Sequence, residues 1–269
     1  MDNAVALRQM TSAFTELGAR APVSPLLARP RLITLGGDHS LSLPALRALN
    51  AVHGPVRVLH LDAHLDTWHP AKYPSYWASE QAHFNHGSMF WLAGQEGLLA
   101  NASTAAGGKG KGPSVHAGLR TRLSGDGFGD YEDDDEQGWV RISSDDMDEV
   151  GTKGVVEQIM ATLGTEDPVY LSVDIDVLDP AFAPGTGTPE PGGWTTRELI
   201  RILRGIEGLN LIGADIVEVA PAYQGAGEET ALAAAQVVFE ILSSMVKRGL
   251  GEMGKTGKTD ETETGRDEL

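Results

Sequence analysis

Two short apolar runs, Val56 to Leu61 and Val169 to Val173, each stop abruptly in acid, and that pairing restricts the folds open to this chain more than any other feature. β-branched and apolar along their length, such runs read as strands buried on both faces, the pattern of a parallel sheet covered by helices. The blocks that end them are His60-Leu61-Asp62-Ala63-His64-Leu65-Asp66 and Leu171-Ser172-Val173-Asp174-Ile175-Asp176, and a Gly36-Gly37-Asp38-His39-Ser40 turn precedes both. If strand geometry continues, Asp62, His64 and Asp66 at alternate positions project to one side, as do Asp174 and Asp176. Carboxylates gathered so closely repel one another unless cations lie between them.

The charge count points to two cations rather than one. Asp62, Asp66, Asp174 and Asp176 bring four negative charges, His39 and His64 bring neutral imidazoles, and a chain with no cysteine offers no thiolate. Oxygen-rich ligation with a minority of imidazole suits hard or borderline metals and favours manganese over zinc. Two ions bridged by carboxylates can acidify a water held between them, which is the machinery of a hydrolase. Each block alone reads equally well as a strand end entering a loop or as a helix cap, but three blocks sharing one logic read together as a metal site.

These motifs resemble the signatures of the ureohydrolases, the arginase and agmatinase family. The resemblance continues through Gly185-Thr186-Gly187-Thr188-Pro189-Glu190-Pro191-Gly192-Gly193 and Asp215-Ile216-Val217-Glu218-Val219-Ala220-Pro221, and spans Arg31 to Lys247. It implies a three-layer α/β/α fold with a mainly parallel sheet, two Mn2+ per chain and an assembly into trimers or hexamers. His39, Asp62, Asp66 and Asp174 would bind one ion, and Asp62, His64, Asp174 and Asp176 the other. It further implies that Glu218 accepts hydrogen bonds from a guanidinium group, a planar fork of donors that a carboxylate matches. His86, in Phe84-Asn85-His86-Gly87-Ser88, becomes a proton carrier by resemblance alone. The segment from Thr67-Trp68-His69-Pro70 to Glu96-Gly97-Leu98 is similar to agmatinases rather than arginases. The implied reaction is hydrolysis of agmatine to putrescine and urea by a metal-bridging hydroxide, with Asp66 steadying the hydroxide. Alternatives are guanidinobutyrate, arginine or formiminoglutamate as substrate, or a remnant that keeps the motifs without catalysis.

Composition agrees. At 269 residues, 41% of them hydrophobic, the chain can bury one large core. A net charge of -17 excludes nucleic acid and anionic membranes as partners and favours small cationic guanidines. No apolar stretch is read as long enough to span a bilayer.

The expected elements alternate in the α/β manner. Helices are expected over Ala4 to Leu17, Leu41 to Val52, Val155 to Leu163 and Glu229 to Arg248, and from the Thr195-Thr196-Arg197-Glu198 capping box to Ile206. Further strands are expected over Arg31 to Leu35 and Val115 to Arg120. Asn101 to Pro113 reads as a low-complexity loop, and Gly125 to Gln137, with its acidic run Glu132 to Glu136, as a solvated one. The catalytic domain is expected over residues 1–248, with a polar, disordered tail over 249–269. The closing Arg266-Asp267-Glu268-Leu269 resembles an ER-retrieval signal and Asn101-Ala102-Ser103 is a sequon, whereas Met1 to Arg20 is no signal peptide. The opening element of the resembled family is absent before Gly36, so an N-terminal portion is expected to be missing.

Overall fold

Strands that are apolar on both sides need helices on both sides, and the arrangement obeys that need. The computed structural model describes residues 3–23, 29–74, 83–100 and 112–263, with side chains up to residue 251. Strands β1 (Leu32–Leu35), β2 (Arg57–Leu61), β3 (Ser114–Leu119), β4 (Trp139–Ser143), β5 (Pro168–Asp174) and β6 (Asn210–Val217) form one sheet. Its order is β1-β6-β5-β2-β3-β4, and each adjacent pair is parallel.

Alternation along the strands divides the core in two. Val58, Tyr170 and Ile212 face α1 (Asn3–Gly18), α2 (Ser42–His53) and α3 (Met89–Gln95), packing with Leu7, Leu46 and Phe90. Leu59, Leu61, Leu171 and Val173 face the opposite layer with Ile159, Ile202 and Val237. These come from α5 (Asp146–Leu163), α6 (Thr196–Gly205) and α7 (Glu229–Glu263), while the short α4 (Gly129–Glu136) leads into β4. The three-layer α/β/α reading therefore holds. The capping box is also formed: Thr195 Oγ1 accepts from the Glu198 N–H at 3.2 Å and Glu198 Oε2 accepts from the Thr195 N–H at 2.8 Å.

Three expectations need correction. The acidic run is not a solvated loop but α4, with Asp130 and Asp134 buried, because those two carboxylates find donors inside the fold. The last helix does not stop at Arg248 but continues to Glu263, through a stretch with no proline to end it. Its segment Glu229–Gly251 is, by length and composition, apolar enough to cross a bilayer. The apolar count is high because Ala233, Val237 and Ile241 line the core while Leu232, Phe239, Val246 and Leu250 are exposed on the helix surface. Residues 101–111, the sequon among them, and 264–269 lie outside the described residues.

The sheet order fixes where a site can form. β2 and β5 are neighbours, yet the chain leaves β2 towards β3 on one side and returns from β5 to β6 on the other. Connections that diverge in this way open a crevice at the carboxyl ends of the strands, the usual ligand site of open α/β sheets.

Candidate metal centre

Both acidic blocks meet in that crevice. Leu61 is registered against Val173, so Asp62 and Asp174 emerge side by side. Beyond these two residues the chain leaves the strand. Asp62 Oδ1 accepts from the His64 N–H at 2.6 Å and Asp174 Oδ1 from the Asp176 N–H at 2.8 Å, so each carboxylate closes the same two-residue turn. Asp66 has a left-handed backbone, φ 53°. Alternate spacing therefore brings the side chains together through tight turns, not through the pleat from which the convergence was expected. Glu218, after β6, also has positive φ, 58°. Strain of this kind at non-glycine residues gathers at functional sites.

His39 supplies the firmest reading of the chemistry. Asp215, fully buried, accepts from the hydroxyls of Ser42 (2.6 Å), Tyr170 (2.6 Å) and Ser172 (2.7 Å). Since Ser172 gives its hydrogen to Asp215, its oxygen can only accept from His39 Nε2, 2.7 Å away. In the neutral ring His39 Nδ1 then carries the lone pair. It is buried without a hydrogen-bond partner, amid Asp66 Oδ2 at 3.0 Å and Asp62 Oδ2 and Asp174 Oδ2, each at 3.3 Å. A lone pair facing three carboxylate oxygens is stable only around a cation.

The second group lies beside the first. His64 Nδ1 is 3.2 Å from Asp62 Oδ1 and 3.0 Å from Asp176 Oδ2. Asp62 thus turns Oδ2 towards His39 and Oδ1 towards His64, as a carboxylate bridging two ions must. The electrostatics agree that the cluster favours positive charge. Burial and the charges of Asp176 and Asp62 push the Asp174 carboxyl well up, and burial with Asp62 lifts Asp176 to about 6. Burial alone would lower His39, but the surrounding Asp174, Asp62 and Asp66 hold it well above the ordinary imidazole value. His64 likewise rises to about 12, Asp176 and Asp62 outweighing its burial. The donor set therefore fits divalent cations.

His60 went unassigned in the sequence. His60, on the same face of β2 as Val58, lies with its ligand-type atoms among those of His39, Asp62 and Asp66. Its Nε2 contacts Asp62 Oδ2 at 2.8 Å and its Nδ1 contacts His116 Nδ1 at 2.8 Å. With both nitrogens engaged it has no lone pair free for an ion. The signal was available: a polar residue inside an apolar strand two positions before Asp62 must find a buried partner.

The crevice opens into a cavity of about 410 Å³ lined by His39, His64, Asp66, Asp174 and Glu218 together with Trp68, Tyr73 and His86. Glu218 Oε1 accepts from the His39 N–H at 2.7 Å. Burial, then the charge of Asp38, raises its carboxyl. His86 is half-buried, with Nε2 2.8 Å from the Tyr73 hydroxyl and Nδ1 3.4 Å from Asp38 Oδ2. The hydrogen bond to Asp38 raises its imidazole, while Asp38, against its own burial, is drawn down to about 2 by His86 and Ser40. All eight residues expected from the motifs, His39, Asp62, His64, Asp66, His86, Asp174, Asp176 and Glu218, thus lie at or around one crevice.

Comparison with known proteins agrees in family and fold. The arginase family model matches residues 1–243. The chain is 46% identical over 255 residues to a putative agmatinase 1 of Schizosaccharomyces pombe, covering 91% of this chain and 61% of that protein. It is 39% identical over 217 residues to an agmatinase of Escherichia coli, covering 81% and 60%. The chain thus spans about three fifths of the length of these curated relatives. Proclavaminate amidino hydrolase from Streptomyces clavuligerus superposes with a TM-score of 0.72 at 34% identity, over 91% of this chain and 71% of that one. With the crevice, its paired acidic turns and these likenesses in accord, the chain belongs to the arginase family.

Proposed function

We propose that this protein hydrolyses a guanidino compound, most readily agmatine to putrescine and urea, with two manganese ions in the crevice. The observation that carries this reading is His39 Nδ1, buried without a hydrogen-bond partner among three carboxylate oxygens. His39, Asp62, Asp66 and Asp174 would hold one ion and Asp62, His64, Asp174 and Asp176 the other. Relatives named agmatinase support the substrate class. Bound there, the ions supply a water acidified enough to act as a nucleophile near neutrality.

The chain's own residues do the rest. Glu218 gives one oxygen to the His39 N–H and keeps Oε2 on the Gly187 side of the cavity, where a guanidinium fork can donate to it. Held so, the guanidinium carbon lies over the crevice and attack becomes effectively unimolecular. Asp66 accepts a hydrogen bond from the attacking oxygen. His86, raised by Asp38 and anchored by Tyr73, holds a proton at the cavity wall and passes it to the leaving amine.

Urea release from agmatine, arginine and guanidinobutyrate, and formamide release from formiminoglutamate, should be measured with Mn2+ and with chelator. Manganese-dependent release fastest from agmatine is expected. Faster arginine turnover would overturn the branch, and no turnover of any guanidine the function. Glu218→Gln should lower kcat/KM by about 10- to 150-fold, the worth of one charge-assisted hydrogen bond of about 1.5–3 kcal/mol, at unchanged metal content.

A further inference from the structure

We propose that His116 and Asp134 are positioning residues for the metal centre, acting through His60 to fix the Asp62 carboxylate between the two ion positions. The inference rests on the proposed metal centre and extends it to residues that touch no ion.

The contacts form an unbroken buried line. Asp62 Oδ2 meets His60 Nε2 at 2.8 Å, His60 Nδ1 meets His116 Nδ1 at 2.8 Å, and His116 Nε2 meets Asp134 Oδ1 at 3.2 Å. The two outer nitrogens meet carboxylate oxygens, so both donate, and the third hydrogen, shared between the Nδ1 atoms, gives the pair of rings one positive charge set between Asp62 and Asp134. His60 is thereby committed to donating to Asp62, and it cannot turn over without breaking the contact to His116.

The far end is anchored in turn. Asp134 accepts from Thr67 Oγ1 at 2.6 Å and from Arg141 at 2.9 Å. The His116 ring stacks on Trp139, centroids 4.0 Å apart and 16° from parallel, and Phe90 sets its edge against His60 at 4.8 Å. Asp62, His60, His116 and Asp134 are all essentially inaccessible to solvent.

A line of ionisable groups is an expensive way to fill a core, because apolar side chains of similar volume are often as stable or more so. The geometry gives it a use. It ends on the carboxylate shared by both groups, and Thr67, which binds Asp134, directly follows Asp66. Helix α4 therefore holds the Asp62–Asp66 turn at two points. Partners behind metal ligands that fix ligand orientation typically change metal affinity by about 10- to 100-fold when removed.

The full chain, its His116→Phe variant and its His116→Gln variant should be compared by calorimetric titration with Mn2+ alone, and by melting of the metal-free proteins. His116→Phe fills the space without either hydrogen bond and is expected to weaken Mn2+ binding by about 10- to 100-fold, beyond any change in melting temperature. His116→Gln, which keeps a polar group in the line, should lose less. As a measurement needing no variant, a ring N–H resonance of His60 in the unaltered protein should shift when diamagnetic Zn2+ is added. Variants that bind Mn2+ as tightly as the parent, or a His60 resonance that ignores Zn2+ although the ion binds, would overturn the proposal. Failure of the parent to bind any divalent ion would instead overturn the metal-centre reading.

Discussion

The crevice is braced from two sides by the same kind of group used in opposite senses. Towards β6, the buried Asp215 takes three hydroxyl hydrogens and, through Ser172, orients His39. Towards β4, the buried Asp134 stands behind His116 and His60 and reaches Asp62. On the first side the carboxylate is matched only by neutral donors, and the result is an imidazole with its lone pair facing inwards. On the second side it is matched by Arg141, the Thr67 hydroxyl and the His116 ring, and the result, through His60, is a carboxylate held by an N–H. A ligand that must offer a lone pair is braced by an acceptor behind it, and a ligand that must keep its charge is braced by a donor. The difference teaches that the polarity of each line is set by the ligand at its inner end.

The hardest test of this contrast removes the point where the two sides meet. Asp62→Asn leaves one oxygen for two ion positions and puts an amide where His60 donates. Manganese binding should weaken by well over about 100-fold, since even the partners behind a ligand cost up to that much. Elemental analysis should find the content falling from about two ions to below one. His39→Ala should spare the ion beside His64. Equal losses in both variants would mean that the two groups are one site, and the comparison would fail.

Ser172→Ala probes the β6 side alone. It strands the His39 Nε2–H and takes one donor from Asp215, and a buried group left unpaired costs about 1–3 kcal/mol. Stability should fall by about that amount and manganese affinity by about tenfold. Combined with His116→Phe, the losses in affinity should add to within about 0.5 kcal/mol if the two lines act separately. A larger coupling, measured by calorimetric titration of the four proteins, would show that His39 and Asp62 are oriented as one unit.

The two sides also differ in how far the sequence discloses them. The ligands stand in compact blocks at strand ends, where short-range chemistry carries the signal, and Asp215 lies within a motif. The sheet was legible for the same reason, because apolar runs such as Val169 to Val173 declare burial on both faces. Asp134 offers no local sign. It stands among Glu132, Asp133, Asp135 and Glu136, and only folding distinguishes the one carboxylate buried against His116 from neighbours that are exposed or half-buried. His60 and His116 are 56 residues apart, and parallel pairing of β2 with β3 in the register His60 to His116 brings them into contact. The positive φ of Asp66 and Glu218 has no glycine to announce it in the sequence.

The smallest predicted effect marks the limit of both lines. Thr195 caps α6 on the face of the sheet opposite His60 and Ser172, its hydroxyl taking the Glu198 N–H and its own N–H donating back to Glu198. Thr195→Ala removes a cap worth about 1 kcal/mol without creating a cavity or a stranded charge. In a chain of this size that should lower the melting temperature of the metal-free protein by about 2–4 °C. Thr195 contacts neither line, so the manganese dissociation constant should not change. The outcome decides how to read the others: if a distant cap weakens metal binding as much as Ser172→Ala does, affinity is following global stability, and neither Asp215 nor Asp134 has a directed role. If affinity is unchanged while stability falls, losses at Ser172 and His116 report orientation of His39 and Asp62 themselves.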